Sequence, residues 1–334
     1  MFTKQSLRDY PSVVKAFMGI ESVQFWELVA MAEKQVDEYV GQRRTRPGRL
    51  RQIGAGRPND LELTIRIALV LTYLRLHIPQ AAVAALFGAS QSDVSRELVR
   101  LGPLLEQLLP CPEIWHIKQA ELDCPPQANR DQTQLSLSEL AQGRVLVDAT
   151  EQRVSRPSDS ARRKAYYSGK KKAFTLKTQI AVDGDHHVHA ISVGVAGAEH
   201  DKALCDRLDT LAHLPDGCEV DADKGYQGLA TGVEQVLVID TISGASTSCP
   251  RLTVKTPVKK PKGGELSAEQ QAFNRALGSI RIRVEHCLGW AKNWAILANR
   301  FRCSHARYTS LMCIVFGLVN AQTQRWQDAR PNCA

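Results

Sequence analysis

Apolar positions recur at helical spacing in the first forty residues (Val23, Phe25, Trp26, Val29, Ala30), which predicts a helical segment to about Val40. The pattern then gives way to GQRRTRPGRLRQIGAGRPND, whose Gly, Arg and Pro content predicts a basic linker or arm. From Leu61 to Leu76 apolar residues return at helical spacing, Pro79 can open another helix, and QAAVAALFG runs into Gly88, a natural left-handed stop. Ser90 can then cap QSDVSRELVRL. Two short helices joined through FGAS have the outline of a helix-turn-helix, with Ala84 packed between them, Gly88 making the turn and Val94 anchoring the second. Gln91, Ser92, Ser95 and Arg96 would then be free to reach DNA. An ordinary helical hairpin has the same outline, and the basic arm just before it favours the first reading.

From Cys111 to Gly143 the chain is rich in Pro, Asn and Gln, with one short helix expected at LSLSELAQG, and reads as a connector. The period then changes. RVLVDATEQRV, AFTLKTQIAV, VHAISVGVAG and CEVDADKG are rich in Val, Ile and Thr and are separated by turn signals, so four strands are expected. Between the third and fourth, EHDKALCDRLDTLAHL places Leu204, Leu208 and Leu211 on one helical face. A mixed stretch (Val236 to Lys262) and a long helix from near Ser267 follow. Three strands, a helix and another strand predict an α/β domain built on one mixed sheet. The run LMCIVFGLVN is about half of what spans a bilayer and predicts a buried helix near the end of the fold.

At 334 residues the chain is long enough for one large domain and something smaller, and 43% hydrophobic residues exclude a disordered protein. The formal charge of +8 matters because it clusters: Arg153 to Lys177 holds nine basic residues, Lys170, Lys171 and Lys172 among them, against the one acid Asp159. That density suggests a polyanionic partner, although a solvated loop has the same composition. The nine cysteines form no C-x-x-C pair and no zinc spacing, which fits a reducing cytosol. No secretory apolar core stands at the N-terminus, and no membrane association is expected.

Three acids then need a reason. Asp148 is expected at the C-terminal end of the first strand, where a central sheet should be apolar on both faces. Asp221 and Asp223 close the fourth strand, which would lie beside the first; period-two alternation puts both on one face and does not choose between them. Glu285 lies on the most helical stretch, in a stripe with Arg281 and Lys292, while Ile282, Leu288 and Trp290 supply packing positions. Alone, that stripe is explained by a surface salt bridge worth about 0.3 to 0.5 kcal/mol. Together, two strand-end aspartates and a helical glutamate can hold two Mg2+ ions roughly 3.5 to 4 Å apart, the clamp used in phosphoryl transfer.

At these residues the chain resembles the DDE transposases of bacterial insertion sequences related to the Harbinger group. The resemblance rests on the helix-turn-helix LRLHIPQAAVAALFGASQSDVSREL, the strand VLVDATEQRV, the link YYSGKKKAFTLKTQIAVD, the GAEHD step, ADKGYQG, and FNRALGSIRIRVEHCLGWAKNWAIL. It implies an α/β, ribonuclease-H-like mixed-sheet catalytic domain behind an N-terminal all-helical helix-turn-helix domain. The divisions expected are a helical segment (1–45), the basic arm and helix-turn-helix (46–110), a linker (111–143) and the catalytic domain (144–325). Carried over position by position, the acids are Asp148, Asp223 and Glu285, with Asp221 the second choice, holding two Mg2+ ions for which Mn2+ can substitute. Lys170 to Lys172, Arg281 and Lys292 would contact DNA. The family's Tyr-Arg-Glu-Lys spacing fits Arg281, Glu285 and Lys292, but Gly278 stands at the tyrosine position; alanine follows Asp148 where the family often has glycine. His200 and Asp201 fit a family block, and helix N-capping by Asp201 explains the pair equally well. The activity implied is cutting at element ends and joining to target DNA, in a bacterial, nucleoid-associated, cytoplasmic protein acting as at least a dimer. A domesticated DNA endonuclease shares the same sequence features; a DNA-binding regulator without transposition would be favoured by loss of one of the three acids, and none is missing.

Overall fold

The computed structural model describes residues 1–44, 61–117, 143–239 and 246–328. Six helices come first: α1 (Lys4–Asp9), α2 (Pro11–Met18), α3 (Ser22–Arg44), α4 (Leu63–Leu76), α5 (Gln80–Phe87) and α6 (Gln91–Leu108). Then follow β1 (Glu113–Trp115), β2 (Arg144–Arg153), α7 (Ser160–Tyr166), β3 (Tyr167–Ser168), β4 (Ala173–Asp183), β5 (Val188–Ser192), β6 (Val195–Ala196) and α8 (Asp201–Leu208). The chain continues through β7 (Glu219–Ala222), β8 (Gln235–Ile239), β9 (Ser246–Pro250), β10 (Thr253–Lys255), α9 (Ala268–Lys292), α10 (Ala295–Ala298) and α11 (Tyr308–Asp328). By internal packing these fall into two units, 1–111 with 291–300 and 310–334, and 112–290 with 301–309.

The first unit is helical. α4 is buried on nearly every side, from Thr64 and Ile65 through Ile67–Leu74, as a central helix must be. α5 ends at Gly88, whose φ of 63° is the left-handed turn expected of it, and Ala84 and Val94 are buried where α5 meets α6. Ser90 caps α6 through its side chain, and Asp93 bonds back to the Ser90 amide, a reciprocal capping box. Glu97 of α6 is buried and takes Arg66 of α4 at 2.8 Å, so a charge pair ties the two helices. The apolar run of α11 is buried from Leu311 to Val319, as expected of LMCIVFGLVN. No helix among the described residues is long and apolar enough to cross a membrane. α3 reaches Arg44, four residues past Val40, where the pattern was expected to end. Most of the basic arm (45–60) and most of the connector (118–142), with its expected helix, lie outside the described residues.

The second unit holds the mixed sheet, in the order β1-β5-β4-β2-β7-β10, with β3 and β6 also on β4. β2, β4 and β5 form antiparallel neighbours, and the chain then crosses through α8 to place β7 parallel to β2. The fourth expected strand therefore does lie beside the first. β10 continues the parallel side, and β1, which falls within the expected connector, pairs with β5 at the far edge. Val145, Val147, Val220 and Ala222 share a core with Leu204, Cys205 and Leu208 of α8. Each fully buried aliphatic there contributes about 1.5 to 3 kcal/mol. The helix is shorter than its sequence suggested: Asp209 takes φ 52° and ends it, leaving Leu211 in a 3-10 turn, half-buried against the same core.

Ser90→Ala should cost about 1 kcal/mol, the usual worth of such a cap, measured by denaturant unfolding. Hydrogen bonds from Ser90, then Arg96, hold the Asp93 carboxyl down at about 2, against 3.8 for an ordinary aspartate. A depressed folded value means that this contribution is present above 3.8 and is lost as pH falls towards about 2. Ser90→Ala should therefore flatten the acid limb of the stability profile in that window, and an unchanged limb would count against the capping box.

Candidate active site

The register of two parallel strands builds the site. Val147 of β2 lies opposite Ala222 of β7, so the next residues on each strand, Asp148 and Asp223, stand side by side just past the end of the pairing. Asp148 is not at the end of its strand, as the sequence suggested; β2 runs on to Arg153, and what ends at Val147 is its partnership with β7. Leu146, Asp148 and Asp221 project to one face, away from the Val145 and Val147 side that α8 covers.

α9 brings a cation to that face. Arg281 reaches both carboxylates, Nη2 to Asp148 Oδ2 and Nη1 to Asp223 Oδ1, each at 3.4 Å. Hydrogen bonds between Asn274 and both the amide and the carbonyl of Val258 hold the helix in place. The Cys287 thiol donates to the His186 carbonyl. Its buried side is Leu277, Val284, Cys287 and Ala291 rather than the expected Ile282, which is 46% exposed, with Leu288 and Trp290 only half-buried. Burial pushes the Asp148 carboxyl above the ordinary range; the Ala149 amide and the Arg281 guanidinium pull it back, while Asp223 and Asp201 add to the rise. The Asp223 carboxylate turns back to accept from the Lys224 amide, starting the Lys224–Tyr226 turn.

Two polar groups behind the turn fix it. Tyr226 is fully buried, its hydroxyl receiving a bond of 3.3 Å from Gln179 of β4, and Gln179 Oε1 in turn accepts from Thr210 at 2.5 Å. Burial raises the phenol well above its ordinary pKa, so it stays neutral. Lys177 is also buried: its ammonium donates to Asp201 Oδ1 at 2.7 Å and to the Glu199 carbonyl, with Glu151 Oε1 at 3.8 Å. Lys177 therefore belongs to an internal ion cluster and not to the exposed basic run. His200, not Asp201, occupies the N-cap of α8; Asp201 is its first residue, and its carboxylate serves Lys177. Gln179 carried no sequence signal beyond its place in the strand, and Lys177 only its place at the end of the basic run.

The other expected residues are placed as follows. Glu285 is exposed one turn after Arg281, and its side chain makes no hydrogen bond or ion pair among the described residues. No group of three or more acidic, His or Cys side chains is gathered closely enough to hold a metal among the described residues, so the structure brings together two of the three expected acids. Those two suit a divalent cation: both are oxygen donors, and both already meet one positive group. Asp221, the second choice, is fully buried beneath them. Lys170, Lys171 and Lys172 are exposed in the turn between β3 and β4, and Lys292 is exposed at the last position of α9. In the helical unit, Gln91 and Ser92 are exposed and Ser95 half-buried, while Arg96 is held by Asp93 at 2.7 Å and Ser92 at 3.1 Å. Gly278, at the signature tyrosine position, faces open space, so its side is free for any residue.

Residues 147–320 match the family described as DDE superfamily endonuclease, and residues 59–111 match the helix-turn-helix of DDE superfamily endonuclease. A probable transposase for insertion sequence element IS702 from Microchaete diplosiphon is 29% identical over 268 residues, covering 79% of this chain and 82% of that protein. No solved structure matches the chain.

Two glycines should respond oppositely to alanine. At Gly225 a Cβ would meet Asp201 Oδ2 at 2.7 Å, and that carboxylate is pinned by Lys177; Gly225→Ala should lower stability by about 1 to 3 kcal/mol. Gly278→Ala lies in open space inside α9 and should raise it by about 0.5 to 1 kcal/mol. Denaturant midpoints of the two variants against the parent check both signs.

Proposed function

Because the chain belongs to the DDE superfamily endonucleases, we propose that it is a transposase cutting DNA at the ends of its element and joining those ends to target DNA. The observation that carries the site is the pair of aspartates set side by side by strand register and sharing one cationic group. Asp148 and Asp223, joined by Glu285, would hold divalent metal, a pair of Mg2+ ions for which Mn2+ could substitute. When bound, the metal supplies positive charge against the attacking oxygen, the leaving oxygen and the phosphate between them.

The rest falls to the chain. Buried Tyr226 and the Lys177–Asp201 pair tie the Asp223 turn to β4, the neighbour of the Asp148 strand, so the two carboxylates are aligned before DNA arrives. Water attacks the phosphodiester at the element's end and releases a 3′ hydroxyl, which attacks a target phosphodiester in turn and displaces the target strand's own 3′ hydroxyl. Neither step needs a protein nucleophile. Lys170, Lys171 and Lys172, exposed and without ion-pair partners among the described residues, hold the flanking duplex through its phosphates. The start of α6, with Gln91, Ser92, Ser95 and Arg96, reads the terminal repeats, Arg96 first leaving Asp93. Lys292 adds a further hold on the phosphates.

Three antiparallel strands followed through α8 by two strands parallel to the first support the ribonuclease-H-like assignment. We divide the chain into helices to 45, arm and helix-turn-helix over 46–110, a linker over 111–143 and a catalytic region over 144–325; the family matches over 59–111 and 147–320 support the second and fourth of these. Joining two ends requires at least a dimer, acting on chromosomal DNA in the bacterial cytoplasm.

Glu285→Gln and Asp148→Asn should each abolish cleavage of DNA carrying the element's ends while leaving its binding intact, read by cleavage and gel-shift assays on the same protein. Cutting that survives either change would overturn the assignment. Replacing Lys170, Lys171 and Lys172 with alanine should reduce the slope of log affinity against log salt by about 2 to 3, near 0.9 for each phosphate no longer neutralised. An unaltered slope would place those lysines away from DNA.

A further inference from the structure

Three observations around Arg281 belong together. Its two terminal nitrogens stand 3.4 Å from Asp148 and Asp223, longer than a good charge-assisted hydrogen bond. Its Nε is buried with no acceptor among the described residues. On the same sheet face, two positions before Asp223, both oxygens of Asp221 are buried with no hydrogen-bond donor among the described residues. Asp221 has only a loose ion pairing with Arg144 at 3.3 Å, and Arg281 is among the cations whose field reaches it. Leaving a buried carboxylate and a buried guanidinium nitrogen both unsatisfied on one face is costly, and each is what the other lacks.

We propose that Arg281 is a positioning residue standing between Asp148 and Asp223 in place of a divalent cation, and that Asp221 is the acceptor to which its guanidinium turns when the cation binds. This rests on the assignment of Asp148 and Asp223 as metal ligands. An empty site is then not two repelling carboxylates but a charge-balanced set, and metal entry is an exchange of one cation for another. Asp221 keeps the displaced charge paired, and the arginine stays within reach of the site.

The two residues should shift metal affinity in opposite directions. Mn2+ binding to the full chain without DNA, followed by calorimetry and by the loss of the free-ion electron paramagnetic resonance signal, reads this apart from activity. Arg281→Met should tighten Mn2+ by about tenfold, the scale of one partly buried charge interaction, and Arg281→Lys, which keeps a cation there, should stay near the parent. Asp221→Asn should weaken Mn2+ severalfold in the parent but leave it unchanged in the Arg281→Met background. Equal weakening in both backgrounds means that Asp221 acts only through its own charge and overturns its role as acceptor; Mn2+ binding unchanged or weaker in Arg281→Met overturns the exchange itself. Circular dichroism confirms folding, and if Arg281→Met does not fold, Arg281→Gln carries the same comparison. Asp148→Asn separates the two readings: Mn2+ binding that survives it removes the ligand assignment, whereas its loss together with no response to Arg281 variants removes only this proposal.

Discussion

The parallel pairing of β2 with β7 is the constraint on which the site depends. Pairing stops at Val147 and Ala222, and the residues that follow are both aspartates. Two carboxylates at neighbouring strand positions repel by about 4 kcal/mol at 4 Å in an effective dielectric near 20. The fold bears this because the apolar residues of the same strands, Val145, Val147, Val220 and Ala222, are locked into the core with α8. A slip of one residue in either strand would exchange the acids for those apolar side chains, so the register that makes the core also fixes the acids.

The support behind the acids is polar and buried, which is unusual enough to need explaining. The Gln179 amide is used at both ends, accepting from Thr210 and donating to Tyr226, so the phenol at the end of the Asp223 turn is tied to β4. Lys177 answers Asp201, while the glycine at 225 gives that carboxylate room. Removing one member would leave another charge or dipole unpaired out of water, which makes the cluster costly to break singly.

Much of this could be read from residue order, and the failures are informative. Gly88 and Ser90 announced the turn and the cap because each acts through local backbone geometry. The change from helical to alternating period located the sheet, and the order of strands and helix set β7 beside β2. What escaped were features decided by distant partners. β1 is three residues in a Pro-rich stretch and is a strand only because β5 offers it an edge. Lys177 looked like one of nine exposed cations, yet Glu151, directly across the β2–β4 ladder, and Asp201 draw it inside. Ile282 looked like core and is exposed, because the buried stripe of α9 is set by Leu277, Val284 and Cys287. Periodicity could not choose between Asp221 and Asp223; the end of the ladder separates them, burying one beneath the sheet face and leaving the other beyond its last pair.

Charge repulsion bears on the third expected acid as well, for among the described residues Glu285 is not gathered with Asp148 and Asp223. A third carboxylate beside Asp148 and Asp223 would add two more repulsions of the same order, in a pocket where burial already raises Asp148 above its ordinary range. Placing Arg281 between the first two and leaving Glu285 in solvent one turn along the same helix avoids that cost. Residues four apart share a helix face, so the side chain that balances the pair and the side chain that would complete a ligand set project from α9 in nearly the same direction. The Asn274 and Cys287 anchors, on either side of Arg281 and Glu285, hold that stretch of α9 in place.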